Sequence, residues 1–410
     1  MADTPQTFLV AEDLRPAYYD DFHCLAAGCR QSCCKEWRVS FDKKDYLALK
    51  RQTGSPELNK RMDHGLRRIR DKDNGLPADH YAEFVLQDGV CPLLREDCLC
   101  HLQVEKGPEA LPMVCRTFPR SEHYSVSGYL ERSLSPGCEG VLALLWDLPE
   151  GVEFRADPLP KEKIKARVLR DPSPILENFQ AIRSTCIDLL QDRRRPLPER
   201  ILLIGIALKE LADGAEDVPS WPARTAALSE QLDTAPLLPD SDKALALFLS
   251  DHMRTLVSTQ RPAASLEEVR RSLLAGMGIS VQPEENQATV PLGPYLEARK
   301  RYEERFGDRD YFMENLMVTL FFHLCLPNVQ SQEELWKSYV NFCNLYSFFR
   351  FSAVMSCREG APGDREELFR LLVHASRMLL HNGTHQARLR DELFQHDSAT
   401  LAHMAILLGG

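Results

Sequence analysis

Residues 22–37 read FHCLAAGCRQSCCKEW, a stretch that places Cys24, Cys29, Cys33 and Cys34 within eleven positions. Cys91, Cys98, Cys100, Cys115 and Cys138 follow, so nine of the thirteen cysteines fall between Cys24 and Cys138. Free cysteine is normally scarce and scattered, and such crowding asks for a chemical cause. Soft thiolates select iron–sulfur clusters or zinc over hard cations, and close spacing lets a short segment donate several sulfurs. A disulfide framework is the rival, but it belongs to small secreted chains. This chain has 410 residues and opens on the polar MADTPQTFLVAEDLRP, without a hydrophobic signal segment. Adjacent cysteines such as Cys33 and Cys34 also rarely reach bridge geometry with each other. Spacing alone leaves the metal open. Zinc usually announces itself as two paired knuckles, whereas the later cysteines here stand singly beside Pro or Gly, a dispersal that suits a cluster.

Working outward from this stretch, Cys29 and Cys33 lie four apart and share a face if the segment is helical, with Cys34 about a quarter-turn away. A helix capped by Asp42 is expected within Phe41 to Ile69. Tyr81 to Leu86 and Val90 to Leu94 read as strand, Arg95 to Asp97 as a turn, and Cys98 to Leu102 as the return strand of a small hairpin. Alternation in a strand then sends Cys98 and Cys100 to one face.

The composition, 44% hydrophobic and 27% charged, fits a globular protein of two or three domains. A formal charge of −10 argues against nucleic acid as partner, since phosphate binding asks for a basic face. The most apolar run, Phe312 to Leu326, is too short to span a bilayer and carries Glu314, Asn315 and His323, which leaves peripheral membrane association open. A Pro-containing connection from Leu148 to Pro160 separates the cysteine-rich part from a helical remainder. The expected domains are a metal- or iron–sulfur-binding module at 1–155 and a helical domain at 156–410. Apolar residues at three- and four-residue spacing predict helices at Pro174–Leu190, Leu197–Leu211, Asp242–Thr259, Leu266–Leu274, Pro291–Phe306, Asp308–Cys325, Gln332–Phe349, Asp364–His381 and His385–Phe394. Pro or Gly clusters at Gly214 to Pro222 and Ala235 to Pro239 interrupt them. The fold class is mainly α: a small cysteine-rich module with a short β-hairpin, followed by an all-α domain.

Phe22-His23-Cys24, Cys29 and Cys33-Cys34-Lys35-Glu36-Trp37 followed by Asp42 resemble the opening of the flagellin lysine-N-methylase family, with its CxxCxxCC-type iron- or zinc-chelating domain. Cys91-Pro92-Leu93-Leu94, Cys100-His101-Leu102-Gln103, Cys115-Arg116-Thr117-Phe118-Pro119-Arg120 and Ser133-Leu134-Ser135-Pro136-Gly137-Cys138 are similar to its later blocks. Glu314-Asn315-Leu316 and His381-Asn382 extend the likeness into the helical part. The resemblance implies a cytoplasmic methyltransferase that moves a methyl group from S-adenosylmethionine to lysines of flagellin, with a [4Fe-4S] cluster, or alternatively zinc, on the cysteine-rich part. The cysteines carried over by position are Cys24, Cys29, Cys33, Cys34, Cys91, Cys100, Cys115 and Cys138. Cys98 looks like a local extra. A non-enzymatic zinc- or cluster-binding adaptor and a redox protein are the rival readings.

Lysine methylation needs a neutral amine, so the site must desolvate the lysine or offer a proton acceptor. Glu36, Asp42, Tyr124 and Glu131 lie near the cysteine blocks, each with a plain surface role as its rival. Arg116 and Arg120 flank Phe118 beside Cys115 and are placed either to meet a cluster or substrate carboxylate or to make surface ion pairs. His101 and His23 are read as histidines satisfied by local hydrogen bonds rather than as ligands, and Trp37 as a cover for the metal. No GxGxxG turn follows a strand, which disfavours a Rossmann-type donor site. Gly205, Gly276 and Gly278 read as packing or helix-end glycines. Cys186, Cys325, Cys343 and Cys357 read as small buried hydrophobes.

Overall fold

The computed structural model describes residues 6–70, 80–125, 127–166, 173–214, 217–232, 236–258, 264–279, 290–329, 331–380, 394 and 398–410. The long strand β1 (Gln6–Pro16) is followed by β2 (Val39–Phe41), α1 (Lys43–Lys50), α2 (Pro56–Gly65), β3 (Leu66–Arg68) and β4 (Ala82–Phe84). Next come α3 (His101–Lys106), α4 (Met113–Thr117), β5 (Arg120–Tyr124), β6 (Tyr129–Leu134), α5 (Glu139–Trp146) and β7 (Phe154–Ala166). From there the chain is helical: α6 (Pro174–Glu177), α7 (Phe179–Leu190), α8 (Leu197–Ala212), α9 (Trp221–Gln231), α10 (Asp242–Ser258) and α11 (Ala264–Gly276). The last are α12 (Gly293–Phe306), α13 (Asp310–His323), α14 (Gln332–Met355), α15 (Arg365–Leu380) and α16 (Leu401–Leu408). The fold is mainly α, as expected.

Two sheets hold the β content. One has the order β5-β6-β1-β7, with β1 parallel to β6 and antiparallel to β7 from Gln6 opposite Ala166 to Pro16 opposite Phe154. The other, β2-β4-β3, is antiparallel. The expected connection from Leu148 to Pro160 is only partly a connection, because from Phe154 onward it is the start of β7. Pro158 and Pro160 are tolerated there because β7 is an edge strand, where a missing N–H costs no ladder bond. Residue 155 thus lies inside a strand.

Two hydrophobic clusters organise the packing. A small one gathers Phe41, Leu49, Leu58, Met62, Phe84, Leu93 and Leu102 with Cys91. A large one joins Tyr18, Phe22, Leu134 and the apolar face of α5 to the helices of the C-terminal half. The Tyr18 hydroxyl meets Thr319 Oγ1 at 2.7 Å across this join. At its centre, α14 buries side chains on every face, among them Tyr339, Phe342, Tyr346 and Phe349, as a helix enclosed by α8, α12, α15 and α16 must.

Several local expectations change. The helix capped by Asp42 is present, with the carboxylate accepting from the Asp45 amide at 2.8 Å, but it stops at Lys50. Ser55 caps a second helix that has Pro56 in its first turn, a start signal inside the span read as one helix. The Cys98–Leu102 strand is not formed. Leu94 and Cys100 make a single bridge, Cys98 sits in the turn at φ 61°, and the Cys100 carbonyl accepts the first bond of α3 from Val104 at 3.0 Å. The alternation argument for Cys98 and Cys100 therefore does not apply. Helices α5, α9 and α16 were not expected, and Pro222, read as a breaker, stands in the first turn of α9. The predicted helix His385–Phe394 and the His381-Asn382 pair lie outside the described residues, apart from Phe394 itself.

Candidate metal centre

The cysteine loop of residues 24–37 is built against two partners. The first is α5. Cys138 is its N-cap residue, and Glu139 in its first turn accepts from the backbone amides of Arg30 and Gln31, both at 2.7 Å, with Cys29 Sγ 3.5 Å from the same oxygen. A carboxylate at a helix N-terminus is favoured by the helix dipole, so this hook is stable as well as directional. The second is the turn before Cys91. The Glu36 amide donates to the Gly89 carbonyl at 2.7 Å, and the Cys91 amide to the Cys34 carbonyl at 2.8 Å. Cys100 enters as the N-cap residue of α3, and Cys115 on α4, whose Met113 amide is held by Asp45 at 2.8 Å.

The thiols of these five segments sense one another. Cys33 and Cys34 are hydrogen-bonded, which favours the Cys34 thiolate, but the Cys91 contact and burial outweigh that and push Cys34 up to about 12. The same Cys33–Cys34 bond raises Cys33 well above the usual thiol range, against the opposing pull of Arg377. Burial raises Cys115, and the Cys34, Cys33 and Cys100 thiols add to it. Burial also raises Cys100, with Cys33 adding. Cys138 reaches about 11 by burial, with Cys33 and Cys24 adding, and Cys29 about 12 by burial beside Glu139, Cys138 and Cys33. All thirteen cysteines are free thiols. Each of the eight expected ligands is coupled electrostatically to at least one other, whereas Cys98 stands on the turn. Among the described residues, no three His, Cys, Asp or Glu side chains close to metal-binding geometry. The donor chemistry nevertheless fits a thiolate centre, because gathered thiols that oppose each other's ionisation are what a cation relieves by displacing their protons.

Other expected residues find different work. Glu36 is buried, its side chain 4% exposed, with Arg377 Nη1 at 3.2 Å and His374 Nδ1 at 2.7 Å, off the hydrogen-bond axis. Arg377 also donates to the Gln31 carbonyl at 2.6 Å and lies over the Trp37 ring, so α15 clamps the cysteine loop. Asp42 is a helix cap. Glu131 is buried in a bidentate pair with Arg183, at 2.7 and 2.8 Å. Tyr124 is 47% exposed. Arg116 pairs with Glu109, and Arg120 donates to the Phe22 carbonyl. His101 contacts Glu105 at 2.7 Å and His23 Nδ1 meets the Asp21 carbonyl. Trp37 donates to the Cys33 carbonyl at 2.6 Å and packs edge-on to Phe118. Gly205 is a packing glycine against Tyr339. Cys186 and Cys343 are buried in helices and Cys357 just beyond one, while Cys325 lies in the turn after α13 at φ 53°. Sequence reasoning missed Glu139, His374 and Arg377. Glu139 had a signal, its place directly after Cys138; the other two contact a loop more than 300 residues away, which no local pattern announces.

Residues 183–407 match the model of the FliB lysine N-methylase C-terminal domain, more than half of the chain. The chain belongs to that family. Among curated relatives, a lysine-N-methylase of Salmonella typhimurium and another of Salmonella choleraesuis are each 26% identical over 84% of this chain and 86% of their own length. A flagellar biosynthetic protein FliU of Salmonella muenchen is 32% identical over 33% of this chain and 78% of its own. No solved structure matches.

Proposed function

We propose that this protein transfers methyl groups from S-adenosylmethionine to lysine side chains of flagellin in the cytoplasm, dependent on a [4Fe-4S] cluster held by the gathered thiols. It is a protein-lysine N-methyltransferase, as its family and the names of its relatives indicate. The flagellar name of the third relative supports a flagellar protein as substrate. Among the described residues no helix is long and apolar enough to cross a membrane. Free thiols throughout suit a reducing compartment.

One observation supports the cluster reading: thiols from five separate segments influence one another's ionisation in a chain of this family. Cys24, Cys29, Cys33, Cys34, Cys91, Cys100, Cys115 and Cys138 would hold the group, which when bound supplies thiolate-ligated iron. Beside these thiols, Glu139 fixes the loop, Arg377 favours the Cys33 thiolate, and Trp37 packs edge-on to Phe118. In the transfer itself the lysine ammonium loses its proton, its nitrogen bonds the methyl carbon, and the sulfonium leaves as a thioether. Glu36 and Glu131 are held in buried ion pairs and Asp42 caps α1, whereas Tyr124 is 47% exposed.

The test is anaerobic purification followed by iron and sulfide analysis and incubation with labelled S-adenosylmethionine and flagellin. The expected result is a brown protein with broad absorption near roughly 400 nm, roughly four irons per chain, and label in flagellin that is lost on Cys33→Ser with Cys34→Ser. Colourless zinc-loaded protein, or transfer indifferent to both serines, removes the cluster; absence of label from every lysine removes donor and substrate.

A further inference from the structure

A cavity of about 660 Å³ opens where the α7–α8 junction, α12, the start of α13 and α14 meet, within the range of small-ligand sites. Apart from Leu408, Gly409 and Gly410 its lining lies inside the family-matched region, beyond the cysteine-rich stretch that ends at Cys138. Its lining mixes charges: Arg193, Arg194, Arg195, Arg200, Arg299 and Arg350 stand with Glu303, Asp308, Asp310 and Glu314, and Tyr311 is among them. Within that lining, Glu314 is 1% exposed and is held by Arg193 at 2.9 Å and by Arg200 Nη1 at 2.7 Å. That carboxylate accounts for part of the arginine charge but not all of it. Arg200 is 7% exposed, and its Nε finds no acceptor among the described residues. Leaving such a donor buried without a partner is costly, and ligand binding is one way to satisfy it. Arg350, 19% exposed at its side chain, stacks over the Tyr302 ring, with a Glu303 oxygen 4.0 Å away.

A plain anion entering here meets four carboxylates, and a plain cation meets six arginines. The lining suits a ligand that carries a carboxylate and a cationic centre together and adds an apolar, ring-bearing part for Leu197, Pro198 and Tyr311. S-adenosylmethionine has an α-carboxylate, an ammonium, a sulfonium and an adenosine. We propose that this cavity is the methyl-donor pocket, with the donor carboxylate on Arg200 and Arg350 and its ammonium facing Glu303 and Asp310; the assignment rests on the methyl-transfer reading above.

Helix α5 relates the pocket to the thiols. Its N-terminal end carries Cys138 and Glu139. At its other end the Trp146 carbonyl accepts from the Tyr311 hydroxyl at 3.0 Å and the Pro149 carbonyl from Arg193 at 2.8 Å, both residues of the cavity wall. Eight helical residues span about 12 Å, so pocket and thiols stand at opposite ends of one helix. The donor is then gripped by arginines, and its binding does not need the cysteines.

Equilibrium dialysis or calorimetry of S-adenosylmethionine with the full-length protein tests this. Arg350→Gln is expected to weaken binding about tenfold or more, the value of a lost charge-assisted hydrogen bond, with Arg350→Lys recovering part of it. The Cys33→Ser, Cys34→Ser protein is expected to bind as the native chain does. Circular dichroism shows whether each variant is folded; should Arg350→Gln not fold, Glu303→Gln on the exposed rim tests the same pocket from the ammonium side. Folded cavity variants that bind normally, or folded cysteine variants that lose the donor, overturn the placement while the donor reading stands. A native chain that binds no S-adenosylmethionine sinks the donor reading itself. Inorganic phosphate displacing the donor at equal concentration marks a simple anion site and also overturns the placement.

Discussion

The contact that sets the cysteine loop is made by single side chains. Glu36 sits at φ 78°, in the left-handed region that few non-glycine residues occupy, two positions after Cys34. That backbone turns its carboxylate inward to Arg377 and His374. Glu36→Gln removes the charge opposite a buried guanidinium, and breaking such a pair from one side costs about 3 kcal/mol. Denaturant unfolding is expected to register that loss, and a change under about 0.5 kcal/mol, the level of an ordinary surface substitution, contradicts the buried-pair account. Glu105 gives a test in pH. The Ser55 hydroxyl and amide, then His101, pull its carboxyl down to about 2. Its folded value is below the unfolded one, so its stabilisation is present above about pH 4.5 and drains away as pH falls towards 2. The stability difference between the native chain and Glu105→Gln is expected to shrink as pH falls below 4.5; a difference that persists at pH 2 refutes it.

At the scale of elements, what could be read from the chain follows how local the deciding physics is. The amphipathic helices from α7 onward carry their own signal in apolar spacing, and α7, α8, α12 and α15 form within a few residues of the spans expected. Strands β1 and β7 carry no such signal, because they are stabilised by each other across some 150 residues and two prolines mark β7 as loop. The crowding of the cysteines was legible in the sequence, but the turn at Cys98 was not, since its geometry is set by the Leu94–Cys100 bridge and the start of α3. Gly205 shows the same limit on α8: spacing alone reads it as packing, and only the structure supplies the partner. A Cβ there lies 2.0 Å from the Tyr339 ring of α14. Gly205→Ala therefore pushes α8 and α14 apart, and an overpacked core costs roughly 1–3 kcal/mol even though alanine favours the helix itself. A thermal melt that rises rather than falls contradicts this close approach.

For the whole molecule, the decisive element is α5, which belongs to the large core by its apolar face and to the thiol loop by its first turn. Asn315 on α13 accepts no freedom at the other end, donating to the Leu145 and Leu148 carbonyls at 3.0 and 2.8 Å. The thiols on the small cluster, Cys34, Cys91, Cys100 and Cys115, are thereby registered against Cys138 on the large one. If that registration is what assembles the centre, loosening one hook harms metal retention before it harms the fold. Glu139→Ala removes the acceptor of the Arg30 and Gln31 amides but leaves both hydrophobic clusters intact. Iron per chain after anaerobic purification is expected to drop well below the native value, amide exchange at residues 29–31 to speed up, and far-UV dichroism to stay unchanged. Glu139→Gln, which keeps one acceptor oxygen, is expected to fall between the two. Native iron content in the alanine variant, with exchange at residues 29–31 already accelerated, contradicts the dependence of the centre on this hook, because the loop would then be free and the metal still held.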